Sequence, residues 1–211
     1  MQIFIASSNL GKIKEIRAIL QNKDLHLLSV LDVAKLAQLQ IKIPSNFEVE
    51  ESGQTFHDNA LLKAQAYAEL TNLATIADDS GLEVEALGGF PSVNSNRWFV
   101  GSDRERNLAL LQKMQGQKNR RAKFCTVICF FDPQIHQAEF FEGEVKGFLA
   151  LEPKGDRCAG FGYDPIFIPE GSTQTFAQLG TDFKNSISHR RQALFKLNQF
   201  LVQGKRLARR E

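Results

Sequence analysis

The class of fold is decided by the stretch Gln2-Ile3-Phe4-Ile5-Ala6-Ser7-Ser8-Asn9-Leu10-Gly11-Lys12. Its first part, residues 2–6, is apolar and β-leaning, and the Ser-Ser-Asn sequence that follows is typical of a helix N-terminus. In residues 10–21, isoleucine and leucine recur at helical spacing. The opening therefore predicts a strand, a short loop and a helix, which is the beginning of an α/β protein.

The rest of the chain extends this pattern into a sheet flanked by helices. Thr55, with Asp58 three residues on, predicts a capping box and a helix to about Leu70. The other predicted elements are a strand at Leu27–Val30, short strands at 75–77 and 82–86, a helix at 102–115, paired strands at 122–131 and 138–149, and an amphipathic helix at 185–203. Because the paired strands predict an antiparallel hairpin, we expect a mixed sheet.

Length and composition favour one α/β domain over residues 1–211. The chain is 43% hydrophobic, and its formal net charge is only +2. This balance does not indicate a nucleic-acid-binding surface. No stretch approaches the roughly 20 apolar residues of a membrane span. Three cysteines without a disulfide or metal-ligand spacing fit a reducing compartment, so we expect a cytoplasmic protein.

The first candidate site is the start of the first helix. Lys12 is unfavourable there unless an anion is present, because the first turn carries the positive end of the helix dipole. Free backbone N–H groups and an ammonium together suit a phosphate group. An ordinary capped helix with a solvated lysine explains the same residues equally well, since this is not the Gly-rich Walker pattern.

The second candidate site is Asp78-Asp79-Ser80-Gly81, which we expect at a strand end. Neighbouring strand side chains point to opposite faces, so one aspartate can face a cleft while the other supports the backbone. Mg²⁺ usually takes one or two carboxylates and completes its shell with water and phosphate oxygens. A solvated Asp-Asp turn is the alternative, but an acidic pair next to apolar residues is costly without a cation.

A further acidic source, Glu50-Glu51, precedes the predicted helix that begins near Thr55. In that helix Asn59 and Lys63 share one face, so they could pair with the carboxylates or reach phosphates. An exposed helix flank is the simpler explanation of their spacing alone.

The third candidate site combines Gly160-Phe161-Gly162-Tyr163-Asp164-Pro165 with Lys184-Asn185-Ser186-Ile187-Ser188-His189-Arg190. Aromatic residues between glycines can contact a flat base. The second stretch concentrates polar donors at what we expect to be one helix start. This density of mixed donors indicates a polar ligand.

Together these motifs resemble the inosine triphosphate pyrophosphatase family over nearly the whole chain. The matching stretches are Asn9 to Lys12, Glu51 to Phe56 running into Asn59-Ala60 and Lys63-Ala64, Asp78 to Leu82, Gly160 to Pro165, and Lys184-Asn185 with Ser188 to Arg190. The resemblance implies a long mixed, twisted sheet flanked by helices, with two lobes around a deep cleft. It also implies a homodimer that hydrolyses ITP, dITP or XTP to the monophosphate and pyrophosphate with Mg²⁺, cleansing the nucleotide pool.

The resemblance also implies residue roles. Asp79 would be the catalytic base and a metal ligand, and Glu50 the further metal ligand, with Glu51 its competitor. The triphosphate would be bound by Ser7, Ser8, Asn9, Leu10, Gly11 and Lys12. The rest of the nucleotide site would comprise Ser80, Phe161, Gly162, Tyr163, Asp164, Lys184, His189 and Arg190, with Phe161 stacking on the base.

The chain departs from the family pattern in one segment. Where the family commonly has Pro-Gly-Val-Tyr-Ser-Ala-Arg, this chain has Pro91-Ser92-Val93-Asn94-Ser95-Asn96-Arg97. Gln178 and Phe183 also replace common acidic residues. The altered segment keeps open a preference for another nucleotide, such as a modified pyrimidine. A catalytically silent nucleotide-binding protein is a further alternative, which the presence of Asp78 and Asp79 argues against.

Overall fold

A computed structural model describes residues 1–20, 24–155 and 162–208, the last five as helical backbone only. Six strands lie within these ranges: β1 (Gln2–Ile5), β2 (His26–Ser29), β3 (Ala74–Val84), β4 (Arg121–Asp132), β5 (Gln137–Leu149) and β6 (Phe167–Pro169). The α-helices are α1 (Leu10–Ile19), α2 (Val33–Gln38), α3 (Phe56–Thr71), α4 (Asp103–Lys113), α5 (Phe176–Ile187) and α6 (His189–Ala208). None of these helices is both long and apolar enough to cross a membrane.

The strands form one mixed sheet in the order β2-β1-β3-β4-β5-β6. β1 pairs in parallel with β2 and β3, with Ile3 opposite Leu27 on one side and Ala74 on the other. β6 runs antiparallel to β5. The predicted α/β class with a mixed sheet and flanking helices is therefore confirmed.

The chain divides into two compact units. Unit 1 contains Met1–Asp79, Val127–Glu142 and the residues from Ala193 onward, and unit 2 contains Ser80–Thr126 and Gly143–Gln192. In unit 1 the isoleucines of β1 and α1 pack with the leucines of α6, as the helical spacing predicts. Unit 2 has an aromatic core that includes Phe124, Phe167 and Phe176. Each unit therefore buries a core of its own.

Helix starts that depend on local signals agree with the sequence. The side chain of Asn9 accepts a hydrogen bond from the backbone N–H of Lys12 and caps α1. Thr55 and Asp58 form the predicted capping box of α3. The predicted strands at 122–131 and 138–149 correspond to β4 and β5, and the helix at 102–115 corresponds to α4.

The prediction of two strands separated by an acidic turn was wrong. β3 runs without interruption from Ala74 to Val84, and Asp78 and Asp79 lie inside it, both buried. Aspartate and glycine favour turns when they are solvated. Here distant cationic and amide side chains contact the two carboxylates, so the extended backbone continues through them.

The prediction of a single helix over residues 185–203 was also wrong. Residues 184–187 form the last turn of α5, the extended backbone of Ser188 interrupts the helix at ψ 151°, and α6 begins at His189. Lys184 therefore lies at the end of one helix, whereas Arg190 lies at the start of the next. The polar donors of this stretch come from two helix ends rather than from one helix face.

Ser92 adopts a backbone conformation that suits glycine. Its φ is +50°, in the left-handed region, at the position where the resembled family commonly has glycine. A Cβ atom costs about 1 kcal/mol there. The hydroxyl of Ser92 donates a hydrogen bond to Oε1 of Glu83 at 3.2 Å. Because this hydrogen bond is partly exposed to solvent, it offsets little of the backbone strain.

We therefore expect Ser92→Gly to raise the free energy of unfolding by about 0.5–1 kcal/mol in urea denaturation. Ser102→Gly is the matched control, because Ser102 has an ordinary φ of −71° and caps α4. That control should lose stability. If the Ser92→Gly protein is less stable than the parent, the backbone of Ser92 is not strained as we infer.

Candidate active site

The loop between β1 and α1 presents small polar groups at a helix start. Ser7 is half-buried, and Ser8, Asn9, Leu10 and Gly11 are exposed. The hydroxyl of Ser7 accepts a hydrogen bond from the N–H of Asn9, which stabilises the loop. The first turn of α1 contains no acidic residue, so its backbone N–H groups suit an anion.

Lys12 extends from this helix start to β3. Its Nζ lies 3.0 Å from Oδ2 of Asp78, and its side chain is only 15% exposed. The predicted cation at the helix start is thus held by a buried carboxylate, so it lies next to the acidic residues and not on a separate surface. We call Glu51, Asp78 and Asp79 the acidic group.

Asp79 is held by two residues of α3. Its Oδ2 accepts a hydrogen bond from Nδ2 of Asn59 at 3.1 Å, and its Oδ1 lies 3.4 Å from Nζ of Lys63. The same ammonium lies 2.5 Å from Oε1 of Glu51. The structure therefore confirms that the shared helix face of Asn59 and Lys63 pairs with the carboxylates.

The amide of Asn59 is oriented by the turn before α3. Its Oδ1 accepts a hydrogen bond from the N–H of Gly53 at 2.8 Å, which turns its Nδ2 donor towards Asp79. A Cβ atom on residue 53 would lie 2.7 Å from that Oδ1, so only glycine allows this approach. The carboxylate of Asp79 thus has a fixed orientation.

Burial and the charges of the acidic group shift the pKa values of Asp79 and Lys63. Burial raises the pKa of the Asp79 carboxyl, and the negative charge of Glu51 adds to it, while Lys63 opposes both. Burial works against the ammonium of Lys63, but the surrounding carboxylates outweigh it and raise its pKa. Asp79 is therefore a stronger proton acceptor than an exposed aspartate.

The acidic group offers oxygen donors that suit a hard divalent cation. Among the ion pairs of the described residues, its three carboxylates contact the ammonium groups of Lys12 and Lys63. Glu50 is exposed, whereas Glu51 is half-buried and acts electrostatically on Asp79. Within the described ranges, His, Cys, Asp and Glu side chains form no cluster of three or more arranged around a metal position.

Unit 2 contains a second set of polar side chains, which we call the donor group: Lys184, His189 and Arg190. All three are buried. Nζ of Lys184 donates to both carboxylate oxygens of Asp164, at 2.8 and 2.7 Å. Arg190 donates to the hydroxyl of Ser80 at 3.1 Å. Seven of the predicted nucleotide-binding residues that the structure describes lie in unit 2: Ser80, Gly162, Tyr163, Asp164, Lys184, His189 and Arg190.

The ring of His189 packs in parallel on Phe124, with ring centroids 5.1 Å apart and an interplanar angle of 15°. Its exposed fraction is 0%. The stacked ring fixes the start of α6, where Arg190 follows in sequence. This contact links the orientation of the donor group to the aromatic core of unit 2.

The predicted base-binding loop is described from Gly162 onward, and Phe161 lies outside the described residues. The side chain of Tyr163 is fully buried, and its hydroxyl donates to the carbonyl of Ser95 at 2.7 Å. Trp98 donates to the same hydroxyl at 2.7 Å. Burial raises the pKa of Tyr163 to about 12. Tyr163 thus stabilises the loop from inside.

Two buried residues of α4, Arg106 and Asn107, lie behind this loop and were not predicted from the sequence. The side chain of Asn107 donates to the carbonyl of Gly162 at 2.8 Å. Arg106 lies four residues before the buried Leu110. That helical spacing was the available signal, because it places Arg106 on the core face of α4.

The fold and the site define an α/β protein in which a lysine-bearing helix start lies against a buried acidic group. The sequence profile of the Ham1 family matches residues 3–200. The chain belongs to this family. A dITP/XTP pyrophosphatase of Deinococcus deserti is 43% identical over 197 residues, covering 93% of this chain and 87% of that protein. The Aquifex aeolicus dITP/XTP pyrophosphatase is 39% identical, covering 93% and 95%.

Solved structures of related proteins have the same fold. The Ham1 protein of Staphylococcus aureus is 39% identical and superposes with a TM-score of 0.82, covering 97% of this chain and 100% of that one. A HAM1 protein from Coxiella burnetii is 33% identical with a TM-score of 0.84, covering 96% and 99%. The mixed sheet and its flanking helices are therefore the fold of the family.

Proposed function

We propose that this chain hydrolyses non-canonical purine nucleoside triphosphates, namely ITP, dITP and XTP, to the monophosphate and pyrophosphate. The single observation that carries the proposal is the buried Asp79 carboxylate, oriented by Asn59 and accompanied by two lysines. The pyrophosphatases of Deinococcus deserti and Aquifex aeolicus match this chain over more than nine tenths of its length. Those two proteins are dITP/XTP pyrophosphatases, and dITP and XTP are two of the three substrates that we assign to this chain.

In this proposal Asp79 is the general base. It accepts a proton from a water molecule whose oxygen attacks the α-phosphorus, and its raised pKa favours that transfer. The bond from the α-phosphorus to the bridging oxygen breaks, and its electron pair leaves with pyrophosphate. Ser7 to Lys12 bind the polyphosphate through backbone N–H groups and the Lys12 ammonium. Positioning and electrostatic stabilisation supply most of the rate enhancement.

The donor group of unit 2 is assigned to the base. A 6-keto oxygen accepts hydrogen bonds, whereas a 6-amino group would leave a buried donor without a partner. Arg190 is our candidate donor, and its contact with Ser80 supports a fixed orientation. Lys184 and the Gly162 to Asp164 backbone complete the assignment, with Phe161 proposed to stack on the base. Discrimination by buried hydrogen-bond donors rejects adenine more strongly than discrimination by pocket size alone.

The oxygen donors of the acidic group fit Mg²⁺, which would be held by Asp79 and Glu51. We assign Glu51 in place of Glu50, because Glu51 shares the Lys63 ammonium with Asp79. Bound there, Mg²⁺ would neutralise charge on the phosphate oxygens. Because Mg²⁺ usually takes only one or two carboxylates and fills its other positions with water and phosphate, the donor set is sufficient.

The neighbouring glutamates provide a matched pair of variants for the metal assignment. We expect Glu51→Gln to raise the Mg²⁺ concentration that gives half-maximal pyrophosphate release by about tenfold. The reason is that removing the charge of one ligand weakens the binding of a hard cation. Glu50→Gln should shift it by less than about twofold, because Glu50 is exposed. Mg²⁺ titrations at saturating dITP measure both values. A larger shift in Glu50→Gln would return the assignment to Glu50.

A panel of triphosphates tests the function itself. The protein is incubated with Mg²⁺ and with ITP, dITP, XTP, ATP, dATP and modified pyrimidine triphosphates, and monophosphate, pyrophosphate and orthophosphate are measured. We expect monophosphate and pyrophosphate in equal amounts from the first three. Preferential turnover of a modified pyrimidine would favour the alternative substrate class. Binding without turnover would favour a silent nucleotide-binding protein.

We further propose that residues 1–211 act as one catalytic domain, that the chain forms a homodimer, and that it acts in the cytoplasm. The near full-length match to the Ham1 family supports the first point. A nucleotide pool is a soluble substrate, which is consistent with the third. Sedimentation of the purified protein tests the second.

A further inference from the structure

Two polar residues of α4 contact the segment Gly162 to Asp164, which the proposed function assigns to the base. Asn107, 1% exposed, donates to the carbonyl of Gly162 at 2.8 Å. Arg106, 7% exposed, places its guanidinium carbon 5.2 Å from the ring centroid of Tyr163. All of these residues belong to unit 2. Successive residues of one helix thus contact successive residues of the loop.

The approach of α4 to the loop is close. A Cβ atom built on Gly162 would lie 2.3 Å from Nη2 of Arg106 and 2.9 Å from Oδ1 of Asp103. Asp103 in turn forms an ion pair with Arg106. The loop backbone at Gly162 therefore packs directly against Asp103 and Arg106 of α4. A side chain at residue 162 would displace one of these two side chains.

Packing alone does not explain a buried arginine and asparagine here. In the part of the chain that the structure describes, Nε of Arg106 and Oδ1 of Asn107 have no hydrogen-bond partner. Burying such groups costs free energy that apolar side chains of similar size would avoid. What the two residues provide in return is a fixed backbone position at Gly162 and a fixed ring at Tyr163.

We propose that Arg106 and Asn107 are positioning residues that set base discrimination by fixing the Gly162 to Asp164 segment. This inference rests on the proposed function, because it assigns the segment to the base. Discrimination by hydrogen bonds depends on where the donors lie, and a displacement of about 1 Å can change rates by up to about 100-fold. The reacting phosphate is assigned to Lys12 and Asp79, so the chemical step should be spared.

The test compares Asn107→Leu with Leu110→Ala, a core truncation on the same helix that removes no hydrogen bond to the loop segment. For Asn107→Leu we expect the KM for dITP to rise about tenfold, kcat to change less than about twofold, and the ratio of kcat/KM for dITP over dATP to fall about tenfold. Leu110→Ala should lower Tm at least as much and leave the KM and the ratio within about twofold. Asn107→Gln, which keeps the amide, should recover part of the ratio.

A ligand-independent measurement separates this inference from the proposed function. Amide hydrogen exchange at residues 162–164 should accelerate selectively in Asn107→Leu, whereas Leu110→Ala should accelerate exchange across α4 and its core neighbours. If the parent protein hydrolyses neither dITP nor XTP while the selective exchange is seen, the proposed function fails and the positioning contact stands. Asn107→Leu with unchanged KM, ratio and exchange would overturn the inference.

Discussion

Asp79→Asn should lower kcat for dITP by at least about 10³-fold while leaving the protein folded. The substitution removes the proton acceptor, whose loss typically costs 10²- to 10⁴-fold, and it also removes one proposed Mg²⁺ ligand. Asparagine has nearly the same shape, so the hydrogen bond with Asn59 and the strand backbone are retained. Single-turnover hydrolysis of dITP in saturating Mg²⁺ measures the loss.

The stability of this variant should equal or exceed that of the parent. The pKa of Asp79 is raised because burial disfavours its charged form, so a neutral side chain removes a cost. Lys63 keeps Glu51 as its partner. Asp182→Asn, an exposed change on α5, is the control and should retain full turnover. Undiminished kcat in Asp79→Asn would remove this residue from its assigned role.

The parts of the fold that could be read from sequence are those set by local chemistry. The capping box of Thr55 and Asp58 needs only residues within one turn, and it fixed the start of α3 correctly. The apolar run of β1 and the Asn9 cap likewise specify the β1-α1 unit. Such signals can be recognised without the tertiary structure, because the side chains that accept hydrogen bonds from the backbone N–H groups are close to them in sequence.

The continuity of β3 could not be predicted for the opposite reason. The local sequence around Asp78 and Asp79 predicts a turn. However, Lys12, the partner of Asp78, lies 66 residues away along the chain, and Lys63, the partner of Asp79, lies 16 residues away. A buried carboxylate is tolerated only with such partners. The local sequence therefore indicates the cost of the acidic pair, whereas only the fold reveals what offsets it.

Sequence motifs predict the charged residues of the candidate site but not the contacts that support them. Motifs identified Lys12, Asp79 and Arg190, because each carries a charge whose chemistry is recognisable. Tyr163 was assigned to the ligand, yet its hydroxyl is committed to Ser95 and Trp98. Helical spacing can place a supporting residue such as Arg106 on a buried face. It does not give the role of that residue, which depends on which backbone group lies opposite.

The largest effect on stability should come from the buried ion pair of unit 2. Lys184→Met leaves the Asp164 carboxylate, 3% exposed, without the ammonium that contacts both of its oxygens. Removing one partner of a buried pair typically costs about 3–5 kcal/mol, because an uncompensated charge remains. Urea denaturation measures the loss. Lys154→Met, which disrupts an exposed pair with Glu152, should cost less than about 1 kcal/mol.

A second substitution separates the structural role of Lys184 from its proposed contact with the nucleotide. Adding Asp164→Asn to Lys184→Met removes the negative charge at residue 164, so the double variant should recover about half of the lost stability, and the non-additivity measures the coupling. It should not recover the KM for dITP, because the ammonium assigned to the nucleotide is still missing. If KM returns together with stability, Lys184 acts only through Asp164. If Lys184→Met costs less than about 1 kcal/mol, the buried pair contributes little to folding.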